Sequence, residues 1–159
     1  MSVDWLSLVG GALIGCLVMG LLLWKLSPAL MLLTYESQLP FDETVEALAA
    51  NAKAAGWQVP KVYELQKSLA KDGYHITPVK VLSICNTRHA ARVLEDDRDK
   101  PICALMPCRI GVYQDRQGKV YVAAMNTALL SKLFGPKVAK VMEDVAAEEH
   151  KMLQGIIAQ

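Results

Sequence analysis

The chain has 159 residues, 53% of them apolar, and its 17 Lys and Arg stand against 16 Asp and Glu for a net charge of +1. A near-neutral balance with no basic stripe argues against nucleic acid as a ligand. The length suits one ordinary domain beside a short extra segment, and four cysteines, one inside an apolar run, do not form a disulfide framework.

The run Trp5–Trp24 has twenty residues and no charge. A bilayer core of roughly 30 Å needs about 20 apolar residues in a helix. The two tryptophans and Lys25 suit an aromatic belt and a headgroup contact. No basic segment precedes the run and no small-x-small cleavage site comes after it, which favours a single-pass anchor over a removed signal peptide. Pro28 should end or kink the helix near Ser27, so the anchor is expected over residues 1–28. Gly11 and Gly15 are four apart, as are Cys16 and Gly20, a spacing that lets a second helix approach closely. The expected partners are therefore the lipid bilayer and other membrane-protein subunits. Lys25 after the run and Asp4 before it lean towards a cytoplasmic position for the remainder of the chain.

Residues 29–159 read as one soluble domain. Leu32, Leu33, Thr34 and Tyr35 suit a first strand. Phe41, Val45, Leu48, Ala52 and Ala55 recur at helical spacing, with Asp42 and Glu43 in the first turn and Gly56 as the stop. Val59–Tyr63 is short and extended, and Glu64–Asp72 is expected to be a helix with Leu65 and Leu69 inward, closed by Gly73. Val79–Cys85 is the clearest strand. Asn86 or Thr87 then caps a helix carrying Ala90, Val93 and Leu94, and its charged tail, Glu95–Lys100, is a loop. Ile102–Tyr113 and Lys119–Met125 form an expected hairpin, bent at Pro107. Asn126 or Thr127 caps a short helix ending at Gly135. Pro136 opens a last helix striped with Val138, Val141, Met142, Val145, Met152, Leu153 and Ile156. This mixture predicts an α/β (α+β) two-layer sandwich, a small mixed sheet covered by helices, preceded by one transmembrane helix.

Chemistry is suggested at one place. Cys85 ends a strand just before a helix N-terminus, where backbone N–H groups favour a thiolate, and His89 lies four residues on. Met106-Pro107-Cys108-Arg109 brings a second cysteine beside a proline and an arginine, with Cys103 five residues earlier. If the hairpin pairs beside Val79–Cys85, Cys85 and Cys108 face one another. Three uses stay open: a soft-metal site with His89 or Met106, a redox or persulfide pair, and a nucleophile at Cys85. No CxxC or second nearby histidine singles one out, and buried cysteines that merely pack are common. Glu148-Glu149-His150 on the last helix is read as a solvated face. Phosphate loops, GxSxG and HExxH are absent from the sequence.

The order Phe41-Asp42-Glu43-Thr44-Val45, Gly56-Trp57, Pro78-Val79-Lys80-Val81, Cys85-Asn86, Met106-Pro107-Cys108-Arg109, Val112-Tyr113, Gly118-Lys119-Val120-Tyr121 and Met125-Asn126 resembles the bacterial domain of unknown function 302 family, from about Leu33 to Gln159. The resemblance implies a compact α/β fold that tends to form a homodimer, and it marks the positions of Cys85 and Cys108. It supplies no activity. Thr87 comes after Asn86 where relatives often carry proline. The expected role is a non-catalytic accessory or binding domain at a bacterial inner membrane, docking on a membrane complex or holding a small ligand, metal or sulfur species near Cys85 and Cys108. The alternative is a redox or sulfur-carrier thiol at Cys85.

Overall fold

The computed structural model describes Trp5 to Ala158; Asp4, used above for orientation, lies outside the described residues. The first helix, α1 (Trp5–Met31), runs through Pro28 instead of stopping at Ser27. The proline removes the N–H that would reach the carbonyl of Trp24. Ser27 Oγ donates to that carbonyl at 3.0 Å, so the acceptor keeps a partner and the helix continues. Its segment Val9–Met31 is long and apolar enough to cross a membrane. Gly11, Gly15 and Gly20 have open space where a side chain would stand, and Cys16 is exposed.

Strand β1 (Leu32–Glu36) succeeds α1 with no linker. After it come α2 (Phe41–Ala54), β2 (Gln58–Glu64), α3 (Leu65–Lys71), β3 (Val79–Cys85), α4 (Thr87–Leu94), β4 (Cys108–Gln114), β5 (Val120–Met125), α5 (Thr127–Leu130) and α6 (Pro136–Met152). The strands form one sheet in the order β1-β5-β4-β3-β2. Every pairing is antiparallel, so the sheet is not mixed. A parallel return needs a crossover that runs the length of a strand. At about 1.5 Å per residue, α3 and α4 with seven and eight residues are too short for that.

The register builds the core. Leu82 stands opposite Ile110, and Val112 opposite Val122. These side chains share one sheet face because alternate residues of a strand point the same way. Leu48 of α2 and Val145 and Met152 of α6 are buried in the same cluster, as are Leu153 and Ile156 beyond it. The stripe on α6 is therefore satisfied inside the domain.

Two expectations fail locally. Leu65 and Leu69 are exposed and α3 buries no residue, because a helix of two turns at the β2–β3 edge offers no face to the core. Ile102–Leu105 is a 3₁₀ turn, Lys100–Leu105, with Pro101 at its start; only Cys108 onwards joins the sheet. Proline at a helix start costs no hydrogen bond, and that preference outweighs the apolar character of the segment.

Leu48 is 1% exposed, and truncating such a residue leaves a cavity in a packed interior. Leu48→Ala should cost about 2–5 kcal/mol, read as a lower denaturation midpoint with an unchanged denaturant slope.

Candidate functional site

One end of the sandwich encloses a cavity of about 190 Å³. Its walls are mostly apolar: Val93 from α4, Val138 and Val145 from α6, Met125 from β5, Leu105 from the 3₁₀ turn Lys100–Leu105 and Phe134 from a second one, Ser131–Phe134. Set into them are Cys85, Asn86, His89, Cys108, Arg109, Thr127 and Glu149. Met106 also lines the cavity. Cys103, expected with this group, is exposed and does not line it. The 3₁₀ turn that replaces the expected strand places it elsewhere.

The β3–β4 register sets Ile84, not Cys85, opposite Cys108; Cys85 pairs across to Gln58 of β2. The two cysteines thus line one cavity without being cross-strand partners. Both are free thiols. Among the described residues, no group of three His, Cys, Asp or Glu is arranged to hold a metal ion.

The acidic pair on α6 is not a solvated face. Glu149 is 8% exposed. Thr127 Oγ1 donates to its Oε2 at 3.4 Å, and the Cys108 thiol is its other polar neighbour. Burial pushes this carboxyl up to about 7, against the opposing influence of Cys108 and Thr127. Burial, and after it the neighbouring Glu149, pushes the Cys108 thiol up to about 12. Cys108 is therefore a protonated donor at neutral pH, unfit as a thiolate nucleophile or ligand.

Glu148 faces the other side of the same wall. Its carboxylate accepts from Trp57 Nε1 at 2.7 Å, His89 Nε2 at 3.1 Å, Arg88 Nη2 at 3.4 Å and Asn86 Nδ2 at 3.5 Å. Burial raises its pKa, but the hydrogen bonds from Trp57 and His89 and the charge of Arg88 outweigh that and hold it below the usual carboxylate value. Asn86 also caps α4, accepting from the Arg88 N–H. In the neutral imidazole, Nε2 donating to Glu148 leaves the Nδ1 of His89 as a bare acceptor. His89 is 5% exposed, and its Nδ1 is the one buried side-chain nitrogen or oxygen without a partner among the described residues.

Sequence reasoning missed Trp57, Thr127, Glu148 and Glu149 as site residues. A signal existed for Glu149. It lies four residues after Val145 and three before Met152, on the apolar stripe of α6, where a carboxylate has no solvent reason to be.

These features define a small α+β domain with an apolar cavity and a polar inner wall. Residues 33–159 match the family described as domain of unknown function DUF302, and the chain belongs to that family. The crystal structure of an uncharacterized conserved DUF302 protein from Bacillus stearothermophilus is similar, at 24% identity over 77% of this chain and 95% of that chain, with a TM-score of 0.70. At that identity the likeness establishes the fold. No curated protein matches the chain.

The buried acids have measurable consequences. The folded chain protonates Glu149 at about 7 against an ordinary 4.5. It holds the extra proton between those values, so stability should fall as pH rises through that window and level off above it. The full effect is on the order of 3 kcal/mol, and Glu149→Gln should flatten the slope of the unfolding midpoint against pH. At pH 8, native Cys108 should resist iodoacetamide by roughly a thousandfold relative to an ordinary thiol, while exposed Cys103 labels readily. Peptide mass mapping before and after unfolding reads both.

Proposed function

We propose that this chain is a single-pass membrane protein whose domain binds a small, largely apolar molecule carrying one hydrogen-bond donor. The observation that carries this reading is the unpartnered Nδ1 of His89, a residue that lines an apolar cavity of about 190 Å³. A buried polar atom without a partner costs about 1–3 kcal/mol, and natural interiors hold few of them. A ligand hydroxyl, amine or thiol that donates to Nδ1 recovers that loss. An engineered apolar cavity of about 150 Å³ takes benzene, which sets the scale of the occupant. The segment Val9–Met31, long and apolar enough to cross a membrane, supports the membrane part of the reading.

Phenol and toluene differ by one hydroxyl in place of one methyl, which makes them the direct test. Isothermal titration of the full chain in lipid nanodiscs should give a phenol-to-toluene affinity ratio that falls about tenfold in His89→Leu, the worth of one such hydrogen bond. An unchanged ratio, or binding of neither probe, overturns the reading.

A second reading has its own support: Cys85 lines the same cavity as His89, the base-type group that Glu148 orients. Here the Cys85 thiolate takes the outer sulfur of a persulfide donor, whose thiolate leaves. Incubation with glutathione persulfide should add one sulfur atom to the Cys85 peptide and none in Cys85→Ser. A wild-type peptide of unchanged mass excludes it.

A further inference from the structure

The exposed apolar side chains at the α1 end of the domain gather beside the mouth of the cavity. Asn126 fixes this arrangement. Its backbone N–H donates to the carbonyl of Met31 at 2.8 Å, and its side-chain amide donates to the carbonyl of Leu30 at 3.0 Å. The same side chain accepts from the Leu129 N–H and so caps α5. The segment Thr127–Phe134 is thus tied to the last turn of α1. Leu133 is 80% exposed and Phe134 43%, and Leu129 is exposed with them. Phe134 and Leu105 are exposed yet line the cavity, which makes them its lip. Leu32 and Met125, register partners where β1 leaves α1, are exposed at the same end of the sheet.

The length of α1 puts this end at a definite height. Its 27 residues span about 40 Å at 1.5 Å each, close to the roughly 40–45 Å of a bilayer with its headgroups. Met31 therefore reaches the outer edge of the headgroup layer when α1 spans. Between Asn126 and Gly135 the sequence TALLSKLF has one charge, the exposed Lys132, and no acid. A basic residue among exposed leucine and phenylalanine is the composition of an interfacial segment.

From these placements we infer that Thr127–Phe134 is a second membrane contact: it seats in the headgroup layer beside α1 and turns the mouth of the cavity towards lipid. The inference rests on the membrane part of the proposed function. It identifies the bilayer as the occupant of this apolar surface and as the route by which an apolar ligand arrives. The β4–β5 turn around Arg116 stands at the other end of β5 from Met125, about 20 Å away at strand rise, and faces water.

The test uses the full chain carrying Cys16→Ser, Cys85→Ser and Cys103→Ser, with the buried Cys108 retained. A single new cysteine at Met19, Leu133 or Arg116 (Met19→Cys, Leu133→Cys, Arg116→Cys) carries an NBD fluorophore. The protein is reconstituted in vesicles of phosphatidylcholine and phosphatidylglycerol, with or without spin-labelled lipid. Labels at 19 and 133 should lose most of their emission to the spin label, and the label at 116 should keep it. Leu129→Cys serves as a second position on the same segment and should behave as Leu133 does. Quenching at 19 with none at 133 or 129 overturns the lipid contact and leaves the anchor standing. No quenching at 19 overturns the anchor and this inference with it.

Discussion

The carboxylate of Glu148 is the joint on which the site depends. It gathers donors from Trp57 ahead of β2, from Asn86 at the β3–α4 boundary and from Arg88 and His89 in α4. Trp57 is also buried in the core cluster with Val145 of α6, but α4 is short and contributes only Val93 to the buried apolar set. One acceptor shared by several donors, three of them cationic or aromatic N–H groups, is worth more than isolated neutral pairs because the charge strengthens each hydrogen bond. It also decides which nitrogen of His89 carries the proton. The chemistry of the cavity wall therefore begins one residue away from the cavity itself, on the flank of the helix that supplies Glu149 to its interior.

Adjacent residues on one helix are about 100° apart, and Glu148 and Glu149 use that angle. Glu148 is partly exposed, meets several donors and stays charged. Glu149 is buried, accepts one long hydrogen bond from Thr127 and has its pKa raised to about 7. Environment alone separates two carboxyl groups of the same type, as desolvation and hydrogen bonding predict. Raising the Cys108 thiol at the same time leaves both groups protonated below pH 7, so neither puts a negative charge on the interior wall. A cation entering there loses its hydration with no counter-charge from either group, and Arg109 in the same wall opposes it.

Much of the fold was legible because its signals are local. Strand β3 is rich in β-branched residues and bounded by turn residues, and the boundaries read from sequence match the strand itself. The stripe on α6 and the stop at Gly56, with its φ of +80°, were legible for the same reason. The site was less so. Cys85, Cys108, His89, Met106 and Arg109 all reach the cavity, but their meeting depends on strand order, which no local pattern encodes. Cys103 was misplaced by a 3₁₀ turn, and α3 was read as amphipathic although it buries no residue. The glutamates were misread because neighbouring charges usually mean solvent. The apolar spacing that runs through Glu149 was the better guide, and a charged residue inside such a stripe merits the question of what it faces.

Pro28 shows how much a single neighbouring side chain can change the placement of a domain. Taken alone, the proline breaks the helix and frees the domain on a short tether. Ser27 supplies the hydrogen bond that the proline withholds, so α1 enters β1 without a joint, and Asn126 fastens the junction from the other side. A helix so joined transmits its own orientation to the sheet. Whatever fixes α1 also fixes where the cavity opens, and a domain on a flexible linker would have no such preference. The exposed leucines of the α5 segment are costly on a surface facing water. Their grouping at the one end of the sheet that α1 enters is accounted for by the same rigid junction.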